Sequence, residues 1–259
     1  MHGIDCSVLD WEQNIASLAT RHRVYALDMM GSGLTEKPSR EHYTIPRLGK
    51  FVLDFLSTQE IQRAHFAGFS LGGMIAQQLA LEHPELVGRL LLLGTGPRGG
   101  EDMTFTELSA EEQADPVAFL LGAFFSPSEA SQAAGREYLK RLESRKNDRD
   151  LPVSRDSAVG QLDAIREWGT IPATGRNVTL KSITQPTLIV HGNKDIVVAP
   201  INAFILAEHL PNAQLIMYPD ASHGAFYQHR KAFLEHVKIF LSDGDSVIPD
   251  HGSIKPSVA

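Results

Sequence analysis

Two spacings of apolar residues alternate along the chain. Short apolar runs of strand length lie at 23–27, 63–67, 90–93, 186–190 and 214–218. Between them, apolar residues recur every three or four positions, as on one face of a helix, over 10–19, 46–56, 71–83, 199–210 and 224–241. A continuous apolar run such as Leu90 to Leu93 is expected of a strand buried on both faces. The pattern predicts an α/β fold with a mostly parallel sheet flanked by helices.

The middle of the chain has a different pattern. Between about residues 98 and 179 the strand signals stop and helix signals dominate. Two capping boxes are predicted there, Ser126-Pro127-Ser128-Glu129 and Ser109-Ala110-Glu111-Glu112. Apolar residues spaced three apart run from Val159 to Trp168 and end at Gly169, which predicts another helix. We therefore expect a helical insertion at 98–179, a core made of 1–97 and 180–242, and a disordered polar tail at 243–259.

Composition excludes several classes of protein. The net charge is −7, from 24 basic and 31 acidic residues, and no basic stripe indicates a nucleic-acid partner. No apolar run approaches the ~20 residues of a membrane span, and no signal peptide is recognisable. The single cysteine, Cys6, excludes an internal disulfide and is typical of the reducing cytoplasm. Eleven histidines are present, but none has the spacing of a metal site, so we expect neither a metal nor a cofactor.

The first candidate for chemistry is the sequence Gly68-Phe69-Ser70-Leu71-Gly72, which contains G-x-S-x-G. A predicted strand precedes it and a predicted helix follows it, which is the context that a nucleophile elbow requires. Small residues on both sides of Ser70 allow the sharp turn, and the helix N-terminus offers free N–H groups to a developing negative charge. The sequence predicts Ser70 as a nucleophile.

A serine nucleophile needs a base and an acid that orients the base. Asp195 and His223 each follow a predicted strand at its C-terminal end, where open parallel sheets place their sites. Taken alone, Asp195 could be a turn residue and His223 a loop residue exposed to solvent. Asp28 and Asp220 are competing acids, but Asp28 belongs to another turn and Asp220 is too close to His223 in sequence. The order Ser70, Asp195, His223 favours a catalytic triad.

These three motifs together resemble the α/β-hydrolase superfamily, in its serine-nucleophile branch of esterases and lactonases. The resemblance extends over most of residues 1–242 and implies that 98–179 is a helical cap over Ser70. It also identifies 28–33 as a structural turn rather than a phosphate loop. We expect most of the large cap aromatics to pack in the core of the cap and only one or two to face the substrate; they are Phe105, Phe119, Phe124, Phe125 and Trp168.

The start of the chain resembles the family's H-G loop, which would supply an oxyanion N–H from Ile4, with a second from Leu71. The alternative is that His2-Gly3 is a chance dipeptide. Only Met1 precedes the loop, so the strand that should carry it has no residues. We expect the 259-residue chain to be a truncated version of a longer protein with a misplaced start at Met1. The other possibility is a rearranged sheet, in which the strands at 23–27 and 63–67 pair directly.

The resemblance implies a hydrolase that cleaves a small or medium ester or lactone with an apolar acyl or alkyl group through an acyl-enzyme intermediate. Serine at the elbow argues against the epoxide hydrolases and haloalkane dehalogenases of the superfamily. A C–C bond hydrolase, a perhydrolase and a non-catalytic ligand-binding or interaction protein stay open as alternatives. The sequence determines neither the substrate nor the oligomeric state.

Overall fold

The computed structural model describes residues 1–4, 6–103, 109, 114–144, 150–151, 153–170 and 177–242. In this part of the chain, four parallel strands form one sheet in the order β1-β2-β3-β4. The strands are β1 (Ala64–Phe69), β2 (Val87–Leu93), β3 (Thr187–Gly192) and β4 (Ala213–Tyr218). Four of the five predicted strands are confirmed, and so is the parallel α/β architecture.

Helices cover both faces of the sheet. They are α1 (Glu12–Leu18), α2 (Ile45–Thr58), α3 (Leu71–Glu82), α4 (Pro116–Phe124), α5 (Glu129–Ser144), α6 (Arg155–Gly169), α7 (Ile201–His209), α8 (Ala225–Gln228) and α9 (Arg230–Ser242). Leu90 and Leu92 of β2 pack into the cluster that contains α2, α3 and α7. Leu91 and Leu93 face the opposite cluster, which contains α9. This alternation explains why the strand is an unbroken apolar run.

The prediction of a strand at 23–27 is wrong. These residues have no regular secondary structure and join no strand of the described sheet. Instead, Met1 lies beside β1, and its N-terminal group donates a hydrogen bond to the carbonyl of Ala67 at 2.8 Å. The N–H of Phe69 donates to the carbonyl of Met1 at 3.1 Å, which completes a parallel ladder contact one residue long. Direct pairing of the two flanking strands is therefore also wrong.

Three helix predictions need smaller corrections. The helix predicted at 10–19 is a 3₁₀ turn at Val8–Trp11 followed by α1, and the helix predicted at 224–241 is divided between α8 and α9 at His229. The helix that was predicted to be capped by Ser126 begins at Glu129, because the hydroxyl of Ser128 accepts the N–H of Ser131 at 3.1 Å.

The helices α4, α5 and α6 lie between β2 and β3 in the chain, in the predicted position of the cap. The helix predicted to end at Gly169 is confirmed as α6, and Ser154 caps its first turn. The second capping box at Ser109 and the tail at 243–259 lie outside the described residues, apart from Ser109 itself. The division into core and cap domains at 98–179 stays a prediction. No helix in the described ranges is long and apolar enough to cross a membrane.

Candidate active site

Ser70 occupies a sharp turn between β1 and α3. Its backbone angles, φ 51° and ψ −117°, lie in a region that residues other than glycine rarely adopt. The backbone of Ser70 is joined to the end of β2, because its N–H donates to the carbonyl of Leu93 at 2.9 Å. The hydroxyl of Thr95 donates to the carbonyl of Ser70 at 2.9 Å. Ser70 thus has the geometry of a nucleophile elbow at the C-terminal end of β1.

The neighbouring glycines are required by space. A Cβ atom on Gly68 would overlap the carbonyl of Gly72, and one on Gly72 would lie 2.5 Å from the carbonyl oxygen of Met1. Gly3 also lies against the elbow, since a Cβ atom there would be 3.1 Å from the Cβ of Ser70. The structure therefore brings the His2-Gly3 loop beside the serine. Leu71 is the first residue of α3, but the roles of the Ile4 and Leu71 N–H groups stay a prediction.

His2 fixes this loop through both of its ring nitrogens. Nε2 accepts the backbone N–H of Met29 at 2.8 Å, so the proton lies on Nδ1, which donates to the carbonyl of Gly3 at 2.8 Å. The side chain is buried. Burial lowers the pKa of His2 to about 4, against weaker opposing contributions from Gly3 and Asp28. The neutral imidazole joins the loop at Gly3 to the turn at Met29, a role that the sequence did not indicate.

Asp195 and His223 form a buried pair. Asp195 lies in the turn after β3, and His223 lies in the loop after β4. Nδ1 of His223 is 2.9 Å from Oδ2 of Asp195, and both residues are at most 4% exposed. Oδ1 of the same carboxylate accepts the N–H groups of Val197 and Val198, each at 2.9 Å. His223 is thus neither solvent-exposed nor free, and Asp195 is more than a turn residue.

The electrostatics of Asp195 favour its ionised form. Burial raises the pKa of this carboxyl, but the nearby His223 and the hydrogen bonds from His191 and His223 outweigh burial and hold the pKa well below its usual range. A carboxylate that stays ionised keeps the proton of His223 on Nδ1. Nε2 of His223 is then able to accept a proton. The tautomer with its proton on Nδ1 is the one that a general base requires.

The imidazole of His223 packs beside the elbow, with its ring centroid 4.7 Å from that of Phe69. A Cβ atom on Gly94 would lie 3.3 Å from Cε1 of His223, and Gly94 directly follows the carbonyl that binds the N–H of Ser70. Helix α4 also contacts the histidine loop. The carbonyl of Ala123 accepts the hydroxyl of Ser222 at 2.7 Å and the N–H of His223 at 3.3 Å. The three predicted residues therefore lie at the C-terminal edge of the sheet, after β1, β3 and β4.

The competing acids are engaged elsewhere. Asp28 accepts the N–H groups of Val8 at 2.9 Å and Leu34 at 3.3 Å. Asp220 accepts the hydroxyls of Ser126 and Ser128, and so it joins the histidine loop to the start of α5. No group of three or more His, Cys, Asp or Glu side chains in the described ranges could hold a metal ion.

Comparison with known proteins identifies the family. The model for the alpha/beta hydrolase fold matches residues 1–230. The chain belongs to the α/β-hydrolase family. It is 33% identical over 238 residues to a pimeloyl-[acyl-carrier protein] methyl ester esterase of Chromobacterium violaceum, across 85% of this chain and 86% of the relative. It is 26% identical to a 2-hydroxymuconate semialdehyde hydrolase of Pseudomonas putida, across 87% and 79% of the two chains.

A solved structure of this family has the same architecture. An alpha/beta hydrolase fold protein from Chitinophaga pinensis superposes with a TM-score of 0.84 at 30% identity, over 93% of this chain and 86% of that chain. The chain is therefore an enzyme of the hydrolase class with the α/β-hydrolase fold. What it hydrolyses depends on its own site.

Proposed function

We propose that the protein is a serine hydrolase that cleaves a small or medium carboxylic ester or lactone. The observation that carries the proposal is the buried Asp195–His223 pair, 2.9 Å apart, beside a serine in a strained elbow. A purely structural turn does not require a serine with a positive φ angle next to a buried imidazole. The strained backbone at Ser70 therefore favours a functional role for this residue. Membership of the family and two named hydrolase relatives favour an enzyme over a non-catalytic binding protein.

In the proposed mechanism, Nε2 of His223 takes the hydroxyl proton as Oγ of Ser70 attacks the ester carbonyl. Asp195 stabilises the imidazolium that forms. The N–H groups of Leu71 and Ile4 stabilise the oxyanion, and the imidazolium returns the proton to the leaving alkoxide. Water then attacks the acyl-enzyme as Nε2 of His223 takes its proton, the imidazolium returns that proton to Oγ of Ser70, and the carboxylic acid leaves.

Aromatic rings packed near His223 support the proposal of an apolar substrate. Phe124 lies 5.6 Å from the ring of His223 and 5.7 Å from that of Phe69, measured between ring centroids. Tyr227 stacks on Phe124 at 6.1 Å. These rings come from α4 of the proposed cap domain and from α8 of the core. They would exclude water and contact an acyl or alkyl group. We also propose a cytoplasmic location, because the chain has a single cysteine and it is buried.

A C–C bond hydrolase is a second candidate, and the similarity to 2-hydroxymuconate semialdehyde hydrolase favours it. The same three residues would take part. The two candidates differ in the leaving group, which is an alkoxide for an ester and a carbanion for a C–C bond. Parallel assays with p-nitrophenyl esters and with a vinylogous 1,5-diketone acid separate them by the ratio of kcat/KM.

The proposed nucleophile is tested by covalent labelling. A fluorophosphonate probe should label the wild-type protein at Ser70, and Ser70→Ala should lose both the label and p-nitrophenyl acetate turnover. The expected loss in kcat is on the order of 10⁶, as for other serine nucleophiles. Ser17→Ala, at an exposed position on α1, is the matched control and should keep both. Turnover by Ser70→Ala within tenfold of wild type would show that another group is the nucleophile.

A further inference from the structure

The loop that carries His223 leaves β4 through a turn at Asp220, whose φ angle of 49° lies in the left-handed region. Residues other than glycine occupy this region uncommonly, so the turn depends on contacts from its surroundings. The buried stretch from Ala221 to Gly224 follows directly and contains the proposed base. The position of the imidazole therefore depends on the groups that hold the backbone of this loop.

Backbone contacts hold the loop on the side of the acid turn. The N–H of Lys194 donates to the carbonyl of Ala221 at 2.9 Å. A Cβ atom on Gly192 would lie 2.3 Å from the carbonyl oxygens of both Ala221 and Ser222, so the two turns are packed closely. None of these contacts involves the carbonyl of Asp220, which faces a different partner.

That partner is Gln228 of α8. Its Nε2 donates to the carbonyl of Asp220 at 2.7 Å. A carbonyl can only accept, so Oε1 is the other end of the amide, and it accepts the hydroxyl of Ser131 at 2.7 Å. Ser131 is fully buried in α5, and its Oγ accepts the N–H of Ser126 at 2.8 Å. Both ends of the Gln228 amide are thus used, one as a donor and one as an acceptor.

These hydrogen bonds form a closed ring of four residues, because the hydroxyl of Ser126 donates to the carboxylate of Asp220. Hydrogen bonds in such a network strengthen one another, and each bond orients the next group. The ring joins the histidine loop to α8 and to the corner between α4 and α5. Loss of the Gln228 amide would open the ring and release the carbonyl of Asp220, three residues before His223.

We propose that Gln228 is a positioning residue, which sets the place of His223 relative to Asp195 and Ser70. The proposal rests on the proposed function, in which His223 is the base. Gln228 acts through the peptide group of Asp220 and takes no part in proton transfer. Small shifts matter here, since a misplacement of about 1 Å can cost roughly 10²-fold in rate. An Asp220→Asn variant keeps the peptide carbonyl, so it leaves the hydrogen bond from Gln228 in place.

Two substitutions test the proposal. Gln228→Leu removes both hydrogen bonds of the amide. Gln228→Glu keeps an acceptor for Ser131 but places a carboxylate oxygen against the carbonyl of Asp220. In both variants kcat for p-nitrophenyl acetate should fall about tenfold, as a partial displacement of the base gives. KM should change less than about twofold, because His223 acts in both acylation and deacylation.

Gln185→Leu is the matched control. Nε2 of Gln185 donates to the carbonyl of Pro84 at 3.2 Å, which is the same kind of bond at the opposite end of the sheet, before β2 and β3. Its removal should lower the melting temperature without lowering kcat.

Proton NMR separates the position of His223 from stability. The proton that Nδ1 of His223 shares with Asp195 should give a downfield resonance, assigned by its absence in His223→Gln. This resonance should shift or broaden in both Gln228 variants and stay unchanged in Gln185→Leu.

Gln228 variants that melt cooperatively with the wild-type kcat and an unchanged resonance would overturn the proposal. An equal fall in kcat in Gln185→Leu would overturn it as well, because the effect would then follow stability. If Ser70 is not labelled and no ester is cleaved by the wild type, the proposed function fails. The resonance needs no turnover, so it still decides whether Gln228 positions the histidine.

Discussion

Nε2 of His191 lies 3.2 Å from Oδ2 of Asp195, the same oxygen that faces Nδ1 of His223 at 2.9 Å. Nε2 of His191 is also 2.8 Å from the carbonyl oxygen of Val198. Both neighbours are acceptors, so this nitrogen carries a proton and His191 donates to the carboxylate. The proposed catalytic acid is therefore held by a second, fully buried imidazole at the end of β3.

We predict that His191→Leu lowers kcat about tenfold or more, because it removes a hydrogen bond to a buried charge that is typically worth ~1.5–3 kcal/mol. The substitution also removes one of the contacts that hold the pKa of Asp195 low, so the acid side of the pH profile of kcat/KM should change as well. His191→Gln places an amide N–H near the position of Nε2 and should restore part of kcat. A Leu variant with the wild-type kcat and pH profile would exclude a positioning role for His191.

The identity of the triad acid gives a second prediction. Asp195→Asn should lower kcat by roughly 10⁴, since an amide no longer favours the proton on Nδ1 of the histidine. Asp220→Asn is the matched control, because this carboxylate contacts Ser126 and Ser128 rather than the ring of His223. We expect the control to stay within about tenfold of wild type in p-nitrophenyl acetate turnover. The reverse order of effects would move the acid to Asp220.

Local patterns predicted those parts of the site that depend on short segments. The elbow at Ser70, the acid turn at Asp195 and the histidine loop at His223 each follow a strand that its own apolar run identifies. The structure brings the three segments together as expected for strand ends of one parallel sheet. The sequence could not show that His2 and His191 support this site, because their partners are set by tertiary packing.

The strand predicted at 23–27 shows what an apolar run cannot predict. The run has strand character, but a strand also needs a neighbouring strand to pair with, and in the structure it is Met1 that forms hydrogen bonds with β1. The capping box at Ser126 shows a smaller limit of the same kind. Ser126 and Ser128 are both good caps and both hydroxyls donate to Asp220, but it is Ser128 that accepts the N–H of Ser131 in the first turn.

Space at the elbow gives a third prediction. Gly68→Ala should abolish activity and lower the melting temperature, because its Cβ would overlap backbone atoms of Gly72, which cannot move as a side chain could. Gly122→Ala is the matched control on α4, where an added Cβ meets nothing within 4 Å. Alanine in a helix is favoured over glycine by roughly 1 kcal/mol, so the control should melt at or above the wild-type temperature. Similar melting curves for the two variants would contradict the proposed packing.

The last prediction concerns stability at acid pH. The unfolded chain protonates His2 near its ordinary pKa of 6.5, whereas burial lowers the folded pKa to about 4. Between these values the unfolded state binds more protons, so the free energy of unfolding falls as the pH drops from 6.5 and levels off below about 4. At 1.36 kcal/mol per unit, the loss is about 3 kcal/mol. The buried N-terminal amine, with its pKa lowered by burial to about 5, adds a loss in the same direction that begins at higher pH.

His2→Gln should remove the part of this slope that belongs to the imidazole and leave the part that belongs to the amine. Gln can still accept the N–H of Met29 through its side-chain oxygen, so the fold is retained while the titration is lost. Urea unfolding of both proteins at several pH values between 7 and 4 measures the difference. His42→Gln is the control, because the side chain of His42 is 44% exposed and its removal should leave the slope unchanged. An equal slope in wild type and His2→Gln would mean that the pKa of His2 is the same in the folded and unfolded states, and it would contradict the buried, Met29-bound imidazole.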